Sequence, residues 1–105
     1  MKRGFSDYGD QEEWTADVVV IGAGAGGSAA ATALAEAGLD VLVLESGSHW
    51  EPSEFKQDSA WAYKNLYEGR GTRTAVGNCV IPVPGGRGVG GSTLINSAIC
   101  FRTPD

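Results

Sequence analysis

The hydrophobic positions of the chain begin with two short continuous runs. Asp17-Val18-Val19-Val20-Ile21 and Val41-Leu42-Val43-Leu44-Glu45 do not alternate apolar with polar residues. Runs of this kind predict strands buried on both faces, as in a parallel sheet. Between them, residues 28–37 are nearly all Ala and Leu, broken by Thr32 and Glu36. That composition predicts a helix, and Gly38 stops it as a left-handed cap. The result is a β-α-β unit with the usual right-handed crossover.

Beyond Glu45 the pattern is less regular. Pro52 and Ser53 read as a helix start, and Phe55, Trp61, Ala62 and Leu66 share a face of one or two short helices. Thr72-Arg73-Thr74-Ala75 and Cys79-Val80-Ile81 flank Val76-Gly77-Asn78, which predicts a β-hairpin with a Gly-Asn turn. Pro82 and Pro84 then break the pattern. Ser92 is placed to cap a last helix, from Thr93 to about Ala98. Residues 1–15 show no period and read as a leader or loose tail, with Trp14 expected to cover the edge of the first strand. Residues 16–105 form one α/β unit: an incomplete Rossmann-like β-α-β dinucleotide-binding fold with a hairpin and short helices. Trp61, Tyr63 and Tyr67 are expected in the core or at an interface.

Composition narrows the function. A chain of 105 residues holds one domain at most. Eight Lys+Arg against thirteen Asp+Glu give a net charge of -5, with no basic patch for nucleic acid. Cys79 and Cys100 make no disulfide framework and read as buried thiols. No Cys/His spacing suits a metal, and the single histidine, His49, reads as a surface or packing residue. Met1-Lys2-Arg3 is followed by Asp7-Tyr8-Gly9-Asp10, not by the apolar stretch of a signal peptide. Residues 29–37 are too short to span a bilayer. A cytoplasmic location is the expectation. Glycine is the outlier. Of sixteen, four stand in residues 22–27 and five in residues 85–91, which points to two backbone-shaped binding loops.

The first loop carries G-x-G-x-x-G at Gly22, Gly24 and Gly27, between a predicted strand and helix, which is where the pattern has meaning. Gly22 permits the tight turn, Gly24 lets backbone approach a diphosphate, and Gly27 lets helix pack on strand. The diphosphate would rest on the helix start at Ala25, Gly26 and Gly27. Glu45 ends the second strand, where a carboxylate binds ribose hydroxyls and repels a 2′-phosphate. Ser46 follows it. NADP is disfavoured, while FAD and NAD both present an ADP half to such a motif.

The second loop runs Gly85-Gly86-Arg87-Gly88-Val89-Gly90-Gly91-Ser92-Thr93-Leu94-Ile95-Asn96. It resembles the first signature of the glucose-methanol-choline (GMC) oxidoreductases, and Phe101-Arg102-Thr103-Pro104 resembles its continuation in bacterial members. The likeness spans Asp17 to Pro104, about the N-terminal fifth of a typical member. It implies FAD as cofactor and an alcohol as substrate, oxidised by hydride transfer to flavin N5. It also implies that Ser92, Asn96 and the backbone from Ser97 to Ile99 line the flavin, with Val89 and Gly91 in the loop beneath it. Arg87 either neutralises phosphate charge or braces the loop. Independently of the likeness, Gly90-Gly91-Ser92 is a second glycine-rich helix entry and so a second anion-accepting end. One nicotinamide dinucleotide needs one such loop, whereas an extended flavin dinucleotide can use two.

In the family a histidine far toward the C-terminus handles the hydroxyl proton, and none is assignable in these residues. The chain therefore reads as an N-terminal fragment or a truncated reading frame, inactive alone. An NAD-binding dehydrogenase module and a non-catalytic remnant are the competing readings. Oligomeric state is not encoded.

Overall fold

The computed structural model describes residues 2–4, 7 and 13–96. Strand β1 (Val18–Ile21), helix α1 (Ala25–Glu36) and strand β2 (Val41–Leu44) form the expected β-α-β unit. The strands pair in parallel, with Val18 opposite Val41 and Ile21 opposite Leu44. Helix α1 starts three residues before the alanine run, because Ala25, Gly26 and Gly27 already belong to it. Gly38 closes it at φ +88°, its N–H donating to the Ala35 carbonyl at 3.0 Å while that of Leu39 reaches Leu34 at 3.2 Å. The entry to β2 is clasped to β1, since the Asp17 carboxylate accepts from the Asp40 N–H at 2.9 Å.

The strands are not buried on both faces, contrary to the sequence expectation. Val18 and Val20 are half-buried, whereas Val19 is 50% and Ile21 86% exposed. The reason is layering: α1 lies on the face that carries Val20, and nothing among the described residues covers the other. Continuous apolar runs report what a strand can bury, and covering both faces takes a second helical layer. Among the described residues only Ala23 and Leu66 are buried hydrophobics.

A single 3₁₀ turn (Pro52–Glu54) leads to helix α2 (Ser59–Asn65). The Asp58 carboxylate caps α2 by accepting from the Ala60 and Trp61 N–H groups. Trp61 packs edge-on against Trp50 and Phe55, with ring centroids 5.1 and 6.3 Å away. Tyr63, half exposed, stacks on Tyr67 at 4.6 Å. A second 3₁₀ turn (Glu68–Gly71) leads into the hairpin of β3 (Thr74–Val76) and β4 (Val80–Pro82). Val76 belongs to the strand, not the turn, and pairs with Val80. The turn is Gly77-Asn78-Cys79, and Cys79 is exposed there, not buried as expected. Trp14 is 38% exposed. It shares a groove with Asp40, Val41 and Leu42 at the start of β2.

The last segment also departs from expectation. It is a 3₁₀ turn (Gly91–Ile95) led by Gly90 at φ +107°, not a helix capped by Ser92. The remainder of the predicted helix, and Cys100, lie outside the described residues. No helix among the described residues is long and apolar enough to cross a membrane.

Candidate functional site: a cleft between two glycine loops

The turn out of β1 is organised around Ala23, which is buried. Its N–H donates to Glu45 Oε2 at 2.8 Å. Its carbonyl accepts from the Gly90 N–H at 2.7 Å and from Ser28 Oγ at 3.1 Å. One residue thus ties the first loop to the end of β2, to α1 and to the second loop. Gly22 sits at φ +95° with its N–H on the Leu44 carbonyl at 2.7 Å. A Cβ on Gly27 would lie 1.9 Å from the Gly22 carbonyl oxygen, so only glycine allows α1 to pack this closely on the turn.

The second loop is pinned to the first and to the β2 exit. The Val89 N–H donates to the Ser48 carbonyl at 3.1 Å, and Arg87 Nη2 donates to the Ser46 carbonyl at 3.0 Å. Gly47 presses on this loop so tightly that a Cβ would stand 2.4 Å from the Gly88 nitrogen. Gly91 meets Gly24 backbone to backbone, a Cβ on Gly91 falling 2.9 Å from the Gly24 Cα.

Between the loops opens a cleft of about 620 Å³. Of the residues singled out from sequence, Gly24, Ala25, Glu45, Ser46, Arg87, Gly91, Ser92 and Asn96 line it. Gly22 and Gly27 shape the turn beneath it. Gly26 faces open space, and Val89 is an exposed strut of the second loop. Ser97 and Ile99 lie outside the described residues. Ser92 does not cap a helix: its Oγ accepts from the Gly86 N–H at 3.1 Å. Asn96 is exposed beyond the 3₁₀ turn, not on a helix, and its Nδ2 donates to the Thr93 carbonyl. Glu68, Gly86 and Thr93 complete the lining. Gly86 and Thr93 stand in the second loop read from sequence, without a role assigned there; Glu68, Ala23 and Gly47 were missed, and for Gly47 the hint was a glycine two places after the strand-end acid.

Glu45 is already engaged by the protein. Oε1 accepts from the Gly47 N–H at 2.8 Å, and Ser46 Oγ stands 3.4 Å away. Donors of the protein itself thus reach both of its oxygens. Partial burial raises its pKa, but the hydrogen bonds from Ala23, Gly47 and Ser46 outweigh that, and the carboxyl titrates below its ordinary value. The folded pKa being the lower, the stabilisation is complete above the unfolded value of about 4.3 and is lost as pH falls through the folded one. Thermal unfolding should therefore show the advantage of the native protein over Glu45→Gln shrinking below about pH 4.3. An advantage constant with pH would rule out the ionised clasp.

The residues present suit a dinucleotide diphosphate. No side chain caps α1 at Gly24, and no acid stands in its first turn. Its leading amides are left for an external anion, and Gly24 keeps the approach to them open. No group of side chains among the described residues could hold a metal ion.

Residues 17–71 match the FAD binding domain family, and residues 63–105 match the GMC oxidoreductase family. The chain belongs to the GMC oxidoreductases. It is 49% identical over 88 residues to an uncharacterized GMC-type oxidoreductase of Mycobacterium tuberculosis, covering 83% of this chain and 14% of that protein. A GMC-type oxidoreductase of Sinorhizobium fredii is 42% identical over 102 residues, covering 97% of this chain and 20% of the other. A long-chain-alcohol oxidase of Arabidopsis thaliana is 42% identical over 88 residues, 84% of this chain and 12% of that enzyme. The chain thus spans at most 20% of the length of these relatives. No solved structure matches it. The cofactor of this GMC segment is FAD, and the NAD-dependent and cofactor-free readings are not favoured.

Proposed function

We propose that the protein built on this segment is an FAD-dependent alcohol oxidase or dehydrogenase, and that the cleft holds the cofactor. The observation that carries this is the junction of the two loops. An uncapped helix start and a second glycine turn meet at Gly24 and Gly91 and open on one cleft. When bound, FAD supplies the two-electron acceptor for hydride leaving an alcohol carbon.

The chain's own residues bind and orient. The first-turn amides of α1 take the diphosphate, and Glu45, which lines the cleft, takes a ribose hydroxyl in exchange for the long contact from Ser46 Oγ at 3.4 Å. Ser92 and Asn96 lie on the side of the second loop, toward the flavin end. Arg87 both braces the loop, through Ser46, and offers a cation to the cleft. His49 is not among the lining residues. Its Nδ1 is 3.5 Å from the Glu51 carboxylate, so the group that takes the alcohol proton is sought elsewhere in the protein. The plant relatives named for long-chain alcohols make that the substrate class to test first.

The test is anaerobic titration of the purified whole protein with alcohols of increasing chain length. The expected result is a yellow protein whose flavin absorbance is bleached by an alcohol. A colourless protein, or a flavin bleached by NADH and by no alcohol, would reject the proposal.

A further inference from the structure

Among the described residues that line the cleft, Glu68 is the acid that no backbone amide holds. Glu45, the other acid of the cleft, is clasped by backbone amides. Glu68 lines the same cleft, and its carboxylate accepts no hydrogen bond among the described residues. Its neighbour is Arg87, whose Nε lies 3.8 Å from Glu68 Oε2, with both side chains about half exposed. Arg87 is the only cation lining the cleft among the described residues.

The backbone holds Glu68 in place. Its N–H donates to the Gly85 carbonyl at 2.8 Å, and the preceding residue, Tyr67, bridges to Gly86. Immediately afterwards the chain reverses through Gly69, Arg70 and Gly71, all left-handed, with Arg70 at φ +56°. A non-glycine residue in that region is strained and persists only where its surroundings enforce it.

We infer that Glu68 is a displaceable counter-ion. Its carboxylate pairs with Arg87, and an entering diphosphate competes with it for that cation. Glu68 thereby weakens cofactor retention and sets how readily the cleft loads and empties. The inference rests on the reading of the cleft as the FAD site. At the partly exposed pair the attraction is modest and screened by salt. The repulsion between Glu68 and a diphosphate adds to it with the same sign.

The test is FAD titration of the whole apoprotein, followed by flavin fluorescence, for the native protein, Glu68→Gln, Arg87→Met and the double variant. Glu68→Gln should tighten FAD about three- to tenfold at low salt, with the gain fading as salt rises. In the Arg87→Met background the gain should be clearly smaller. A carboxylate that merely braces the loop predicts the reverse: weaker binding at every salt concentration and a lower melting temperature. Weakened binding by Glu68→Gln, or a gain of equal size with and without Arg87, overturns the inference. Should Arg87→Met not fold, the sign and salt dependence of the single Glu68→Gln variant decide. FAD binding that is untouched by Glu68→Gln rejects this inference alone. A native protein that binds no FAD rejects the reading of the site and this inference with it.

Discussion

Replacing Gly27 with alanine is expected to destabilise the β1–α1 junction and to strip the protein of its cofactor. Helix propensity points the other way, because alanine in a helix is favoured over glycine by about 1 kcal/mol. Packing decides against it. The new Cβ would lie 1.9 Å from the Gly22 carbonyl oxygen and 3.1 Å from its carbon. These are backbone atoms of a turn held at φ +95°, with no rotamer to move away. Overpacking of this kind typically costs about 1–3 kcal/mol, occasionally more. The same shift would pull Ala23 off Glu45 and Gly90, so binding should suffer with stability. Gly26→Ala is the control. It stands on the same helix turn with nothing within 4 Å of its Cβ, so it should be neutral or stabilise by up to about 1 kcal/mol. Thermal unfolding with and without FAD, and the flavin content of the purified variants, measure both. If the two substitutions behave alike, close packing is not what requires glycine at position 27.

That contrast shows what could be read from the chain and what could not. Gly22, Gly27 and Gly38 were legible because their work is local: each turns or packs the chain within a few residues of itself. The parallel pairing of β1 and β2 was legible for the same reason, given a short helix between two apolar runs. Burial was not, because Ile21 and Val19 carry the side chains of a covered strand whether or not a cover is present. Ser92 misled for a physical reason. A serine before an apolar stretch is a fair cap signal, but Gly90 and Gly91 both adopt positive φ and start the turn earlier. That leaves the Ser92 hydroxyl for Gly86. Ala23, Gly47 and Glu68 gave little signal, since their roles depend on a loop more than fifteen residues away in sequence. The acid at position 45 does line the cleft, but it is held by the protein's own amides, and no spacing rule reports that.

Gly24→Val is expected to abolish FAD binding while leaving the fold intact, which separates ligand approach from loop architecture. Gly24 has ordinary extended backbone, φ -76° and ψ -172°, that any residue can adopt. A Cβ there would meet only the Gly91 Cα, at 3.9 Å, an ordinary contact. Glycine and valine differ at a helix N-cap by roughly 1 kcal/mol or less, so the apoprotein should melt within a few degrees of the native one. The cofactor meets a different situation. The added side chain stands at the mouth of the cleft, before the uncapped amides of α1 that the diphosphate must reach. Hydrogen bonds to a charged group are worth about 1.5–3 kcal/mol each. Losing two of them would lower affinity about 10²–10⁴-fold. Gly91→Val is the informative comparison. At φ +55°, with its Cβ 2.9 Å from the Gly24 Cα, it should disturb the loop junction itself and lower stability as well as binding. The measurement is FAD titration beside thermal unfolding of the two apoproteins. A Gly24→Val protein that retains native FAD affinity would show that the diphosphate does not pass this glycine, and the cleft would lose its claim to be the cofactor site.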